Sequence, residues 1–127
     1  MKNKRHQNTP ASYLVLFKDN QVLLLRRFNT GYEDGNYSLI AGHVDSGDNF
    51  TQCIIREAKE EAGILLNPED LKVAHVMHRN SEIIGNKERV DVFFITKKWQ
   101  GEIQNKEIYK CDDLSWFNLD KLPENII

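Results

Sequence analysis

The 127-residue sequence predicts an α+β fold, an α/β/α sandwich built on a mixed β-sheet. Three observations point to it. About five or six short segments are rich in β-branched, aromatic and leucine residues and are bounded by turn-forming clusters. The stretch from Phe50 to Ala62 repeats its apolar residues at helical spacing instead. With 40% apolar and 28% charged residues, the composition is that of an ordinary globular unit, long enough to bury roughly two-thirds of its unfolded surface without disulfide or metal staples.

One domain is expected over residues 1–127, with residues 1–10 a flexible polar leader. Ser12 to Phe17 and Gln21 to Arg27 read as two strands joined at Lys18-Asp19-Asn20, a hairpin. Asn29 to Asn36, with its glycines, asparagines and acids, reads as an exposed loop that borders a ligand. Tyr37 to Ile40 is a short strand ending at Ala41-Gly42. The polar turn Asp45-Ser46-Gly47-Asp48-Asn49 precedes a helix from Phe50 to Ala62, closed by Gly63. Leu71 to Met77, Arg89 to Thr96 and Ser115 to Phe117 read as further strands, and Asn118 to Leu122 as a short helical turn stopped by Pro123.

Several functional classes are excluded at this level. The 17 basic and 19 acidic side chains leave a formal charge of −2. A protein that coats duplex nucleic acid normally carries a clear Lys/Arg excess. The longest apolar runs, Tyr13 to Phe17 and Val22 to Leu25, fall far short of the roughly 20 residues that cross a bilayer, so no membrane is expected. No signal-like apolar segment follows the basic leader, which makes a cytoplasmic location the expectation. Cys53 and Cys111 form no C-x-x-C pair and read as reduced thiols, with no zinc site.

The chemistry concentrates in the helix. At 100° per residue, Glu57, Glu60 and Glu61 fall within a sector of about 100° that borders the apolar stripe of Phe50, Ile54, Ala58 and Ala62. Gln52, Arg56 and Lys59 occupy the far side. Like charges at such spacing cost a helix about 0.2–0.5 kcal/mol per pair, more at low dielectric. A hard divalent cation compensates, since Mg²⁺ takes oxygen ligands and bridges carboxylates to phosphates. The competing reading is a solvated helix with Glu/Lys pairing.

The preceding loop decides between these readings. Gly42-x5-Asp48-x7-Arg56-Glu57-Ala58-x-Glu60-Glu61-x-Gly63-Ile64 resembles the Nudix box, G-x5-E-x7-R-E-U-x-E-E-x-G-U, where U is a bulky aliphatic residue. The box spans residues 42–64. The resemblance, to MutT-like Nudix hydrolases, implies a pyrophosphohydrolase that cleaves a nucleoside diphosphate linked to another moiety X. It implies Mg²⁺ or Mn²⁺ held by Glu57, Glu60 and Glu61, with the Ala41 carbonyl as a backbone ligand. Glu57 also matches the general base, and Arg56 an organiser of loop and helix. Asp48 stands for the family's glutamate, one methylene shorter, which is expected to weaken its contact with Arg56. An acid outside the box takes part in some members, and Glu102, Glu107, Asp112 and Asp113 are the candidates. No G-x-S-x-G elbow surrounds Ser38 or Ser46, so a serine nucleophile is not indicated.

Some subfamilies carry a proline or tyrosine about sixteen residues after the box; here the stretch reads His78-Arg79-Asn80-Ser81-Glu82 and has neither. A nucleoside triphosphate, cleaved to monophosphate and pyrophosphate, is therefore the first expectation. The alternatives are another substrate such as a nucleotide sugar, or a Nudix-like module that senses a nucleotide without cleaving it. Tyr13, Phe28, Tyr32, Tyr37, Phe94 and Trp116 are candidates for base stacking, and His43 for lining the site. The partner is a small-molecule nucleotide, with the protein itself a monomer or homodimer.

Overall fold

β1 (Thr9–Lys18) and β2 (Gln21–Arg27) form the expected hairpin, with Phe17 opposite Val22 and Lys18 opposite Gln21. Asp19 turns the chain at a φ of 56°, a left-handed conformation that short polar side chains tolerate. The computed structural model describes residues 7–80 and 88–127. The other strands are β3 (Tyr37–Ser38), β4 (Ile40–His43), β5 (Lys72–Arg79), β6 (Arg89–Thr96) and β7 (Cys111–Asn118).

The sheet is mixed, as expected. β1 runs parallel to β6 from Thr9 to Leu16 and antiparallel to β4, with Tyr13 opposite Ala41, while β2 pairs with β3 and β7. The segment read as one strand, Tyr37 to Ile40, is two. It leaves β2 at Ser38 and joins β1 at Ile40, switching neighbours at Leu39. That switch brings Ala41 and Gly42 beside the end of β2, where the site forms.

The helix, α1 (Phe50–Ala62), has the predicted bounds because both ends are capped locally. Asn49 accepts from the Gln52 backbone while the Gln52 side chain accepts from the Asn49 backbone, a reciprocal capping box. Gly63 adopts φ 70° and donates to the carbonyls of Ala58 and Lys59. Ile54, Ala58 and Ala62 are buried against Leu14, Leu16, Leu23, Ile40, Val92 and Phe94 of the sheet, and Cys53 is buried beside the carbonyls of Gly42 and His43. The Ser12 hydroxyl, also buried, donates to the Phe50 carbonyl at 2.7 Å and tethers the start of the helix to β1.

Alternation divides each strand between two faces. Leu14, Leu16, Val92 and Phe94 meet the helix, whereas Tyr13, Val15, Asp91 and Phe93 line cavities on the other face. Among the described residues α1 is the one α-helix, and a 3-10 turn at Pro68–Asp70 follows it.

Further boundaries differ from the sequence reading, among them β5, which runs from Lys72 to Arg79 rather than from Leu71 to Met77. β1 begins at Thr9, so Thr9 and Pro10 belong to the sheet rather than to the leader: they pair with Arg89 and Val90. Residues 1–6 of the leader lie outside the described residues. β7 extends to Cys111 because its antiparallel ladder with β2 supplies backbone partners that short-range periodicity does not reveal. Residues 119–122 form turns rather than a helix, held by Leu119 N–H to Asn20 C=O and Lys121 N–H to Asn118 C=O. No helix among the described residues is long and apolar enough to cross a membrane.

Candidate active site

Arg56 ties the loop to the helix. Its guanidinium binds the Asp48 carboxylate directly, lies 3.3 Å from Asp45 Oδ2 and donates to the His43 carbonyl at 3.4 Å. The same group reaches Glu57 Oε1 at 3.5 Å and Glu60 Oε1 at 3.8 Å. The shorter Asp48 still reaches Arg56.

The three box glutamates separate. Glu57 and Glu61, one helical turn apart, line a cleft of about 360 Å³ with Ala41, Leu25, Arg27, Lys110 and Glu107. Glu60 does not line this cleft; its side chain is 54% exposed and leans on Arg56. Gly42 is required by the approach of Glu57: a Cβ there would overlap the Glu57 carboxyl group.

Burial sets the electrostatics of the cleft. Desolvation, reinforced by the charge of Glu60, raises the Glu57 pKa above the usual glutamate range despite the neighbouring Arg56. Glu61 is pushed up further, by deeper burial and then by the charges of Glu57 and Glu107, with a hydrogen bond from the Ala41 backbone pulling the other way. Glu61 Oε2 is buried without a hydrogen-bond partner among the described residues.

Of the four acids outside the box, the structure brings one to the cleft. Glu107 arrives because the free carbonyls of the last helical turn accept from the following loop: Gln104 N–H bonds to Ala62 C=O and Lys106 N–H to Glu61 C=O. Asn105 then caps the Glu107 backbone N–H at 3.1 Å. Glu102 is exposed, Asp112 pairs with Arg26 at 2.6 Å, and Asp113 accepts from Tyr37 and from Ser115.

A second cavity of about 430 Å³ shares Leu25, Arg27, Ala41 and Glu61 with the cleft. Its remaining wall includes Tyr13, Tyr32, His43, Arg79 and Arg89. Of the six aromatic candidates only Tyr13 and Tyr32 reach it. Phe94 is in the core, Trp116 packs against Trp99, Tyr37 is buried against Phe117, and Phe28 lies on the surface. The arginines of this wall escaped the sequence reading; the available signal was Asp91, a charge inside an otherwise apolar strand. Cys53 and Cys111 are free and buried, and neither lines this second cavity. Ser81 and Glu82 of the subfamily marker stretch lie outside the described residues.

The donor set suits a hard cation. It is all oxygen, and it includes a buried carboxylate oxygen that lacks a partner. Among the described residues, no three acidic, His or Cys side chains are grouped so that they alone could hold a metal ion. That is compatible with Mg²⁺, which retains waters and shares substrate oxygens.

Comparison with known proteins identifies the lineage. The family model for the NUDIX domain matches residues 7–126. The NAD-capped RNA hydrolase NudC of Pseudomonas aeruginosa is 30% identical over 115 residues, which cover 91% of this chain and 38% of that protein. NudC of Photobacterium profundum is 27% identical, over 91% of this chain and 40% of its own. This chain thus spans less than half the length of these curated relatives. The crystal structure of a MutT NUDIX hydrolase from Burkholderia pseudomallei superposes with a TM-score of 0.86 at 25% identity, covering 96% of this chain and 92% of that one. The NUDIX domain of Shewanella oneidensis NrtR, complexed with ADP ribose, shares the fold at a TM-score of 0.71 and 20% identity, over 91% and 76% of the two chains. With Glu57 and Glu61 of the box at one cleft and residues 7–126 matched by the family model, the chain belongs to the NUDIX domain family.

Proposed function

We propose that this chain is a divalent-metal-dependent pyrophosphohydrolase that cleaves a nucleoside diphosphate joined to a further group. The observation that carries this reading is the cleft itself, which Glu57, Glu61 and Glu107 line together and in which one carboxylate oxygen of Glu61 is buried without a hydrogen-bond partner. Carboxylates so placed are costly unless a cation joins them.

Glu57, Glu61, Glu107 and the Ala41 backbone would hold Mg²⁺ or Mn²⁺, with Glu60 joining if its exposed side chain swings inward. When bound, the ion neutralises the pyrophosphate and lowers the barrier to attack on phosphorus. Glu57 accepts the proton of the attacking water, whose oxygen bonds to phosphorus as the bridging P–O bond breaks; the leaving phosphate takes that bond's electron pair as an oxyanion and is protonated by solvent. Arg56 fixes one Glu57 oxygen at 3.5 Å and so orients the base. Glu57 must be deprotonated both to hold the ion and to accept that proton, so activity favours alkaline pH.

Nucleoside triphosphates are the first substrate class to assay. Dinucleoside pyrophosphates of the NAD type are the second, favoured by the NAD-capped RNA hydrolases among the relatives. The test is a panel of triphosphates, NAD, ADP-ribose and nucleotide sugars with Mg²⁺ or Mn²⁺, scoring mononucleotide, pyrophosphate and orthophosphate separately. Metal-dependent release of a mononucleotide is expected. Undiminished turnover after exhaustive chelation would overturn the reading, and tight nucleotide binding without turnover would replace it with a sensing module.

A further inference from the structure

Three strands place a pair of arginines beside the acidic cleft. Arg79 ends β5, Arg89 starts β6 directly opposite it, and Asp91 lies two residues along the same face of β6. Asp91 is fully buried, with Oδ2 at 2.7 Å from Arg79 Nε and Oδ1 at 3.6 Å from Arg89 Nε. Two guanidiniums against one carboxylate leave one net positive charge. The Tyr13 hydroxyl accepts from both arginines, at 3.4 Å from Arg79 Nη2 and 2.9 Å from Arg89 Nη2. Its own proton is therefore free to be donated onward. The Tyr13 ring is fixed by stacking on Phe93 at 4.6 Å.

This cluster is held more firmly than a surface ion pair. A buried aspartate pairs with both guanidiniums and a stacked tyrosine accepts from both, so less conformational entropy is lost when a ligand arrives than at two unpaired surface arginines. Both arginines line the cavity of about 430 Å³ that shares Ala41 and Glu61 with the cleft. A bound cation in the cleft already balances the phosphates that are cleaved apart. Residual positive charge in the adjoining cavity calls for a second anionic group.

We propose that Arg79 and Arg89, braced by Asp91 and Tyr13, form a subsite for a further phosphate on the substrate, beyond the two joined by the cleaved linkage. The proposal rests on the pyrophosphohydrolase reading for its role in catalysis, and names the substrate class as nucleoside pyrophosphates bearing that additional phosphate. The phosphate has two possible sources, the end of a triphosphate chain or a ribose-borne phosphate.

Arg89→Gln is the informative variant, since Asp91 keeps its closer partner Arg79 and is not left as an unpaired buried charge. Arg89→Lys preserves the charge without the planar fork. In chelator, where the cleft contributes no cation, pyrophosphate and adenosine 2′,5′-bisphosphate should each raise the melting temperature of the parent protein. Arg89→Gln should abolish that rise and Arg89→Lys retain part of it. In metal-activated turnover, ATP against ADP and NADP against NAD distinguish the two sources. In the pair that matches the true source, Arg89→Gln should raise KM for the more phosphorylated member about tenfold, the value of one lost charge-assisted contact, and leave kcat and the other member nearly unchanged. No stabilisation of the parent protein by either probe, equal stabilisation of Arg89→Gln, or an equal KM rise for both members of each pair would overturn the subsite. If every nucleotide resists hydrolysis while the anion-dependent shift is still lost in Arg89→Gln, the catalytic reading fails and the anion site stands.

Discussion

The acidic cleft and the arginine cavity touch at Ala41 and Glu61 and are built in opposite ways. The cleft draws Glu57 and Glu61 from one helix, and its carboxylates are raised in pKa by shared burial and mutual repulsion. The cavity draws Tyr13, Arg79 and Arg89 from three strands, and its charges are neutralised in part by a buried aspartate. One is short of a cation; the other retains a positive charge. The difference teaches that the proposed chemistry and the proposed selection rest on separate elements, the one on a helix and the other on a neighbouring sheet face, and can be tested apart.

Five substitutions test that division. The largest effect is expected at Glu57: Glu57→Gln should lower kcat by about 10²-fold or more, the lower end of what a general base contributes. A comparable fall in KM effects alone, with kcat intact, would move the chemistry out of the cleft. Glu107→Gln should cost about tenfold in activity or metal affinity, the scale of a supporting rather than central carboxylate. Titration of activity against Mg²⁺ distinguishes this from no role, in which the curves superimpose.

Glu61 links the cleft to stability. Its folded-state pKa lies well above its ordinary value of 4.5, so the folded state holds the proton more tightly than the unfolded chain does. The stability this contributes is complete below the unfolded pKa and is lost as pH rises through the folded pKa. In chelator, Glu61→Gln should therefore melt higher than the parent protein at alkaline pH, the gap narrowing on acidification. Added Mg²⁺ should stabilise the parent and leave Glu61→Gln nearly unmoved. Melting curves in which the variant follows the parent at every pH would remove Glu61 from the electrostatic strain of the cleft.

The smallest effects are expected outside both regions. Lys59→Gln, on the exposed side of α1, should change kcat less than about threefold. Asp48→Glu should fall in the same range, because Asp48 already reaches Arg56 and the longer side chain adds no new partner. A loss above about tenfold at Asp48 would show a loop shaped around aspartate and unable to absorb one methylene.

Local chemistry made much of this protein legible. The helix bounds follow from Asn49, Gln52 and Gly63, each acting within one turn of its own position, and the cleft glutamates follow from helical periodicity. The β1–β2 hairpin was equally readable from the turn residues between two apolar runs. By contrast, the neighbour switch at Leu39 depends on which strands compete for pairing, and the length of β7 depends on the ladder offered by β2.

The sequence by itself therefore determined the mixed α+β class, the capped helix and the carboxylates at i and i+4, since these rest on interactions between residues a few positions apart. Only the tertiary structure decided that Glu60 stays at the rim, that Glu107 alone of four outlying acids enters the cleft, and that Arg79 and Arg89 meet around Asp91. The physical reason is sequence distance: Glu107 is placed by loop amides that satisfy the helix's last carbonyls, and the arginines by strand register. Neither partner's identity is written in the residues beside it.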